Sequence, residues 1–414
     1  MIINSSQKNE RKNICLLSDH HLSMNPRLWK EAFFYEKKGF EVVILTMWHS
    51  KDSLKKDWQI LEGHTIKYKA YLNLIAGEIN PLQLFFYRVR KRIAGELQSR
   101  FNFGTGWAIS HSPGLMFKKA MQEDAAFYAA HLECAFYVGR DLIKAGKKVS
   151  FDFEDWYSRD YLVPARPVNL LEATQKYAIQ NGLFCTAASN SMAFSLKDCY
   201  HSENKITVVY NGFSIKNKKP KIDFIARDDG NERIKLLWFS RTIGAGRGLE
   251  LLLKGLLVCD LGIELHLLGE MESGYLEFLE KEFANKPMHS LVIHPFMPHD
   301  QLDDFIGRFK IGLAIEEDIN DNKRLTVSNK ILQYLQAGLM VLASDTKGQR
   351  EVAELFPNAV AIVDINNPDT LATAIVQLSK KERINVQQQK EKFESIFSWE
   401  AQEIKLNSLI EQYL

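Results

Sequence analysis

No stretch of the sequence comes near the run of about 18 apolar residues that a membrane-spanning helix needs, which argues against a helical integral membrane protein. An excess of charge of either sign is missing too. The 53 basic and 51 acidic residues leave a net charge of +2, without the basic excess of a dedicated nucleic-acid binder, so no nucleic-acid partner is expected. Cysteine is scarce. The five present, Cys15, Cys134, Cys185, Cys199 and Cys259, show no paired spacing, which disfavours a disulfide frame or a structural zinc site and points to reduced thiols in the cytoplasm. The polar residues 1–12 lead into an apolar run at 14–17, too short for the core of a secretory signal. Internal repeats and low-complexity tracts are absent.

What is present is a chain of 414 residues, more than one hydrophobic core usually serves, so two domains are expected. An apolar content of 46% and a charged content of 25% are ordinary for a globular protein. Residues 14–18 (ICLLS) read as a buried strand. Asn25-Pro26 then opens a helix, with Asn able to cap and Pro suited to the first turn. Leu28, Trp29, Ala32, Phe33 and Tyr35 form its apolar stripe, Gly39 ends it, and residues 41–46 (EVVILT) make the next strand. This βαβ unit predicts a parallel sheet.

Residues 60–117 give no clean period. Within them, 81–92 (PLQLFFYRVRKR) is an apolar run followed by a basic cluster. It reads either as a domain helix with a solvated face or as an edge that touches an anionic membrane or a lipid-linked acceptor. Strands are expected at 125–128, 148–153, 183–188 and 206–210, and helices at 134–145 and 169–181, the latter with Asn169 as its cap. Residues 213–233 have the composition of a linker between domains at 1–212 and 234–398. A last helix at 399–414 is expected to pack back toward the first domain. The second half alternates strand and helix from 235 to 363, which predicts a second doubly wound α/β domain with its ligands beyond the carboxyl ends of the strands.

Two segments carry the clearest chemistry. In residues 240–248 (SRTIGAGRG), Gly244, Gly246 and Gly248 let the backbone approach a ligand closely. The next helix N-terminus offers free N–H groups, and Arg241 and Arg247 can contact phosphate oxygens. The combination suits a diphosphate; the alternative is a glycine-rich turn with surface arginines. In residues 326–338 (TVSNKILQYLQAG), Ser328 or Thr326 can cap a helix. Lys330 in its first turn opposes the helix dipole, which suggests a nearby anion. Gln333 lies one turn later on the same face, with an amide suited to hydroxyls. The alternative is an ordinary capped core helix.

These segments, WFSRTIGAGRGLE at 238–250 and SNKILQYLQAGLMVLASDTKGQREV at 328–352, resemble the donor domain of GT-B glycosyltransferases of the retaining, family-four-like group. The resemblance implies two Rossmann-like domains facing across a cleft. Arg241 and Arg247, with Gly246, would hold the donor diphosphate, and Ser328, Asn329, Lys330 and Gln333 would complete donor binding. Gln333 stands where the group has a ribose-binding Glu, and Leu325 where it has a second acidic residue. Glu316 and Glu317 could substitute, Glu317 on the cleft side, or form a solvated acidic loop. The first half resembles the group more loosely, through SMNPRLWKEAFFYEKKGFEVVILT at 23–46 and FDFEDWYSRD at 151–160. Asn25 and Arg27 become candidate cleft residues, with helix capping and a surface charge as the alternative. Glu154 and Asp155, near Asp152, become acceptor-side groups. His131, expected to share a face with Glu133, is the candidate general base as a neutral imidazole, with a satisfied structural histidine as the alternative. Asn211 is read as structural.

The function implied is transfer of a hexosyl group from a nucleotide sugar to an acceptor hydroxyl, in polysaccharide or glycoconjugate assembly, with retention by analogy. No cofactor and no metal is expected; the partners would be a nucleotide sugar and a glycan or lipid-linked acceptor. The protein would be cytoplasmic, with candidate peripheral contact through 81–92 at the inner face of a membrane. Closure of the domains would align donor and acceptor. The alternatives are a catalytically silent nucleotide- or carbohydrate-binding protein, or an epimerase or phosphorylase-like enzyme on the same architecture.

Overall fold

A computed structural model of the chain describes residues 13–160, 166–215, 233–297, 299–381 and 386–414. Apolar strands alternate with amphipathic helices to give two compact units. The first comprises Met1–Ala187, Ala193–Val208 and Leu409–Leu414, the second Ala188–Met192 and Val209–Ser408. Of the expected linker at 213–233, residues 216–232 lie outside the described residues.

The first unit is built on β1 (Asn13–Leu17), β2 (Glu41–Trp48), β3 (Lys67–Asn73), β4 (Phe127–His131), β5 (Val149–Phe153), β6 (Cys185–Ala187) and β7 (Ile206–Val208). Their spatial order is β3-β2-β1-β4-β5-β6-β7, with every pairing parallel. The second unit uses β8 (Ile234–Ile243), β9 (Ile263–Met271), β10 (Ser290–His294), β11 (Ile311–Ala314), β12 (Met340–Ser344) and β13 (Val360–Val363), in the order β10-β9-β8-β11-β12-β13. Helices cover both faces, so β4, β5, β11 and β12 are buried along their whole length. That is why these strands read as apolar runs rather than alternating patterns. The second core gathers Leu236, Trp238, Leu252, Leu265, Leu313 and Ile375. Gly312 in β11 is required there, because a Cβ would lie 2.3 Å from the ring of Tyr334.

In both sheets the winding reverses between neighbours, at β1/β4 in the first and β8/β11 in the second. A crevice opens beyond the carboxyl ends at such a reversal, and it fixes where each unit presents side chains to a ligand.

Several expectations need correction. Residues 60–117 contain β3 and the helices Pro81–Phe101, Gly106–Ile109 and Pro113–Gln122. The Val168–Asn181 helix starts one residue early, with Pro167 at the N-cap position and no side-chain cap from Asn169. In the Pro26–Lys37 helix, Trp29 and Phe33 are only half-buried, whereas Arg27, Lys30 and Glu31 are buried. Leu28, Ala32 and Tyr35 are buried as expected, but the buried face also takes in the charged Arg27 and Glu31 in place of Trp29 and Phe33, because a charged network inside the unit draws that side inward. The last helix, Trp399–Tyr413, begins in the second unit and ends in the first, with the Tyr413 ring 5.7 Å from that of Phe184.

Candidate functional site

In the first unit the site grows from the ends of β4 and β5 and from the helix after β1. Asn25 caps the Pro26–Lys37 helix, its Oδ1 accepting from the Leu28 N–H at 3.0 Å. Its Nδ2 also donates to Glu154 Oε1 at 2.8 Å. Arg27, Glu31 and Tyr35 follow at intervals of four, so they share one helical face. Arg27 grips Asp152 with two donors, Nε at 2.7 Å and Nη2 at 2.5 Å. Thr186 of β6 donates to the same carboxylate at 2.6 Å. Tyr35 donates its hydroxyl hydrogen to Glu31.

His131, the last residue of β4, sits between two of these carboxylates. Its Nδ1 is 3.0 Å from Glu154 Oε1. Its Nε2 is 2.9 Å from Glu31 Oε2, an ion-pair contact lying off the N–H direction. Burial alone would lower the imidazole's pKa, but the charge of Glu31, then the hydrogen bond to Glu154, carry it up to about 10. Burial likewise raises the Asp152 carboxyl, but Arg27 and then His131 outweigh it and hold it below the ordinary carboxylate range. Two cations are thus locked among three carboxylates.

This arrangement corrects the reading of two residues. His131 is fully enclosed and its pKa is carried up to about 10, which favours the structural histidine over a neutral general base; its Nδ1 lies against Glu154. Arg27 is neither a surface charge nor open to a ligand, being 4% exposed. Glu154, at 14% side-chain exposure, and the half-buried Asp155 after it are the acidic groups that reach the surface of the cluster. Glu133 does not share His131's environment. The chain turns sharply at Leu132, with φ of +68°, and Glu133 enters the next helix, where it pairs with Arg166. The ligand atoms of Glu31, His131 and Asp152 lie within 4.8 Å of one another, a spacing a cation could use. Arg27 and Thr186 already engage Asp152, however, and His131 holds its protons against carboxylates, so the set suits a hydrogen-bonded charge cluster better than a metal.

The His131 shift has a consequence for stability. A group whose folded pKa is raised from 6.5 to about 10 adds stability that is complete below about pH 6.5 and is lost as pH rises through about 10. Urea midpoints of the wild type should therefore fall between neutral pH and pH 10 relative to those of His131→Gln. A constant difference between the two would mean that the imidazole is neutral.

In the second unit, β8 runs further than the sequence suggests, to Ile243, with a register shift between Phe239 and Thr242. Arg241 therefore lies in the strand, exposed, rather than in the turn. Gly246 and Gly248 adopt φ of +70° and +81°, the left-handed region that glycine tolerates. Arg247 between them is exposed, with Nη1 donating to Ser240 Oγ at 3.4 Å. Gly248 caps the Leu249–Val258 helix, and its N–H donates to Glu317 Oε1 at 2.8 Å. A carboxylate of the chain itself thus occupies one of the donors expected to hold phosphate.

Glu316 is no solvated loop residue. Lys330 Nζ donates to its Oε1 at 2.6 Å and Ser328 Oγ at 3.0 Å. Burial raises its pKa, but Lys330 outweighs this and keeps it below the usual carboxylate range. The anion inferred from Lys330's place in the helix is therefore Glu316. Ser328, rather than Thr326, is the N-cap of the Asn329–Gln336 helix; the Thr326 hydroxyl donates to the Asn322 carbonyl. Asn329 Oδ1 accepts from Asn211 at 3.0 Å, which gives Asn211 a structural role. Gln333 is 5% exposed, and its amide makes no hydrogen bond among the described residues. Leu325 is a core residue, 3% exposed. Sequence reasoning missed Glu31, Tyr35 and Thr186; the spacing of Arg27, Glu31 and Tyr35 was the available signal for the first two.

Neither a family model nor a curated protein matches the sequence. Solved structures do. HepE of Anabaena, in complex with UDP and glucose, matches with a TM-score of 0.65 at 13% identity, over 97% of this chain and 100% of that one. A glycosyltransferase from Rickettsia africae ESF-5 matches at 0.61 and 15%, over 98% and 99%. TarM of S. aureus, in complex with fondaparinux, α-GlcNAc-glycerol and UDP, matches at 0.64 and 10%, over 96% and 99%. At such identities the likeness carries the fold: two Rossmann-like units, as in glycosyltransferases of the GT-B architecture.

Proposed function

We propose that the chain is a glycosyltransferase that moves a hexosyl group from a nucleotide-diphosphate sugar to an acceptor hydroxyl, with retention of configuration, in polysaccharide or glycoconjugate assembly. The observation that carries this reading is the second unit's crevice. There the exposed Arg241 precedes a glycine turn and the exposed Arg247 lies within it, so both guanidiniums are open to a diphosphate. The bond between the anomeric carbon and the diphosphate oxygen breaks as the acceptor oxygen bonds to that carbon, and the acceptor's hydroxyl proton passes to the departing diphosphate. The departing diphosphate gains negative charge, which fixed cations stabilise without reorganising. HepE and TarM both bind UDP, which supports a uridine donor for this chain.

Glu154 and Asp155 are proposed to orient the acceptor hydroxyl, Glu154 being fixed by Asn25 and His131. The transfer draws on chemistry these side chains supply without a cofactor or a metal. The acceptor is a glycan or a lipid-linked glycan, and a cytoplasmic protein touching a membrane through residues 81–92 would meet the latter where it is held.

A second reading, silent nucleotide binding, is favoured by Leu325 in the core and by the Glu317 carboxylate on the Gly248 N–H. The test is a thermal-shift screen against UDP, GDP, ADP and TDP, followed by a turnover assay. A shift with UDP that Arg247→Ala abolishes, together with release of UDP from a UDP-hexose, is the expected result. A shift without turnover of any nucleotide sugar would favour the silent binder, and no shift with any nucleotide would remove both readings.

A further inference from the structure

The Pro81–Phe101 helix of the first unit is 21 residues long, and only Ala94 and Gln98 in it are buried. Helices in proteins normally owe their stability to packing of an apolar face; here that face stands in water. Leu82, Phe86, Ile93, Leu97 and Phe101 recur at intervals of four, seven, four and four residues, so they line one side of the helix. They are 36% to 72% exposed. Phe85 lies beside them, and Phe103 and Trp107 continue the exposed apolar surface just past the helix end. A continuous patch of this kind marks an interaction site.

The charges say what it meets. Between residues 81 and 107, five basic side chains (Arg88, Arg90, Lys91, Arg92 and Arg100) stand against one acidic one, Glu96. Glu96 is paired with Arg100 at 3.2 Å. Arg90 turns back into the protein, donating to the His111 carbonyl and lying 4.7 Å from the Trp107 ring. Arg88 and Arg92 are exposed, with no ion pair among the described residues. A second copy of the chain would bring two positive faces together. A surface that is apolar within and negative at its boundary fits both features.

We infer that this helix is an interfacial anchor lying in the plane of an anionic lipid surface. Its apolar stripe enters the acyl boundary; Arg92, about a third of a turn from the stripe, reaches headgroup phosphates, and Arg88, on the far side, adds to the attraction from solvent. No described helix is long and apolar enough to cross a membrane, so the contact is peripheral. The inference extends the contact placed at residues 81–92 as far as Trp107 and rests on that contact. It does not depend on sugar transfer.

The experiment is flotation of the full-length protein with vesicles of phosphatidylglycerol and phosphatidylethanolamine, and with vesicles of phosphatidylcholine alone. Light scattering reports oligomeric state, and near-UV circular dichroism checks the fold of each variant. The wild type should float with the anionic vesicles at low salt, lose this at high salt, and stay down with phosphatidylcholine. Phe85→Ser with Phe86→Ser, and separately Ile93→Ser with Phe101→Ser, should each lower the partition coefficient about tenfold or more. Arg88→Gln with Arg92→Gln should remove the preference for anionic lipid.

If the Ile93/Phe101 pair floats like the wild type while the Phe85/Phe86 pair does not, the contact is confined to 81–92 and the extended anchor is wrong. A wild type that stays down with both vesicle types overturns anchor and contact together, leaving the UDP screen to judge the transferase reading. Equal flotation with phosphatidylcholine overturns the anionic preference. A dimer that the Phe85/Phe86 pair dissolves, without flotation, assigns the stripe to a second copy instead.

Discussion

Asp152→Ala is expected to cost about 3–5 kcal/mol of folding stability, read as a fall in the urea midpoint, because it strands the Arg27 guanidinium inside the first unit. Both partners are nearly enclosed, with side-chain exposures of 5% and 6%, so water cannot replace the lost carboxylate. The same change leaves the Thr186 hydroxyl without its acceptor and removes one of the negative charges around His131. A control separates burial from charge. Arg27→Met combined with Asp152→Leu should recover much of the loss, since an apolar pair carries no desolvation cost. A cost below about 1 kcal/mol for Asp152→Ala would place the pair in the class of solvated surface bridges and dissolve the case for a rigid cluster behind Glu154.

Glu317→Ala should tighten binding of UDP by about ten- to a hundredfold, the worth of a hydrogen bond to a charged group. In the ligand-free chain the Glu317 carboxylate holds the Gly248 N–H at 2.8 Å, and it brings negative charge to the turn where a diphosphate is proposed to sit. A diphosphate must displace that carboxylate or accept its repulsion; alanine removes both costs. Loss of the helix-cap contact should lower stability by about 1 kcal/mol at most, so affinity and stability would move in opposite directions. Titration calorimetry with UDP decides the matter. Unchanged or weaker binding would mean that the phosphates lie away from Gly248.

The sequence was most legible where a strand is buried on both faces. Residues 340–343 form a continuous apolar run between two helical patterns, and β12 occupies them together with Ser344. The edge strand β3 was illegible, because KYKAYLN mixes exposed lysines with buried tyrosines and follows a polar helix. The glycine turn and the cap at Ser328 were readable because their signals are local. The charge cluster was not. Arg27 and Asp152 are 125 positions apart, and nothing in the neighbourhood of either announces the other, so Arg27 looked like a cleft residue or a surface charge. Glu316 misled for the same reason: an acidic run suggests solvent until Lys330, 14 positions on, is seen to fold over it.

The assignment of Leu409–Leu414 to the first unit has a consequence during synthesis. All the strands of the first sheet have been made by Val208, yet the segment that brings Tyr413 against Phe184 emerges only after the second unit has been translated. At roughly 5–20 residues per second, the intervening two hundred residues take about 10–40 s. For that interval the nascent first unit lacks this segment, and the ring of Phe184 packs against Phe127 without its Tyr413 neighbour. A ribosome stalled before residue 409 would carry a unit whose sheet is complete but whose last packing contact cannot form, which is the kind of surface that holding chaperones bind.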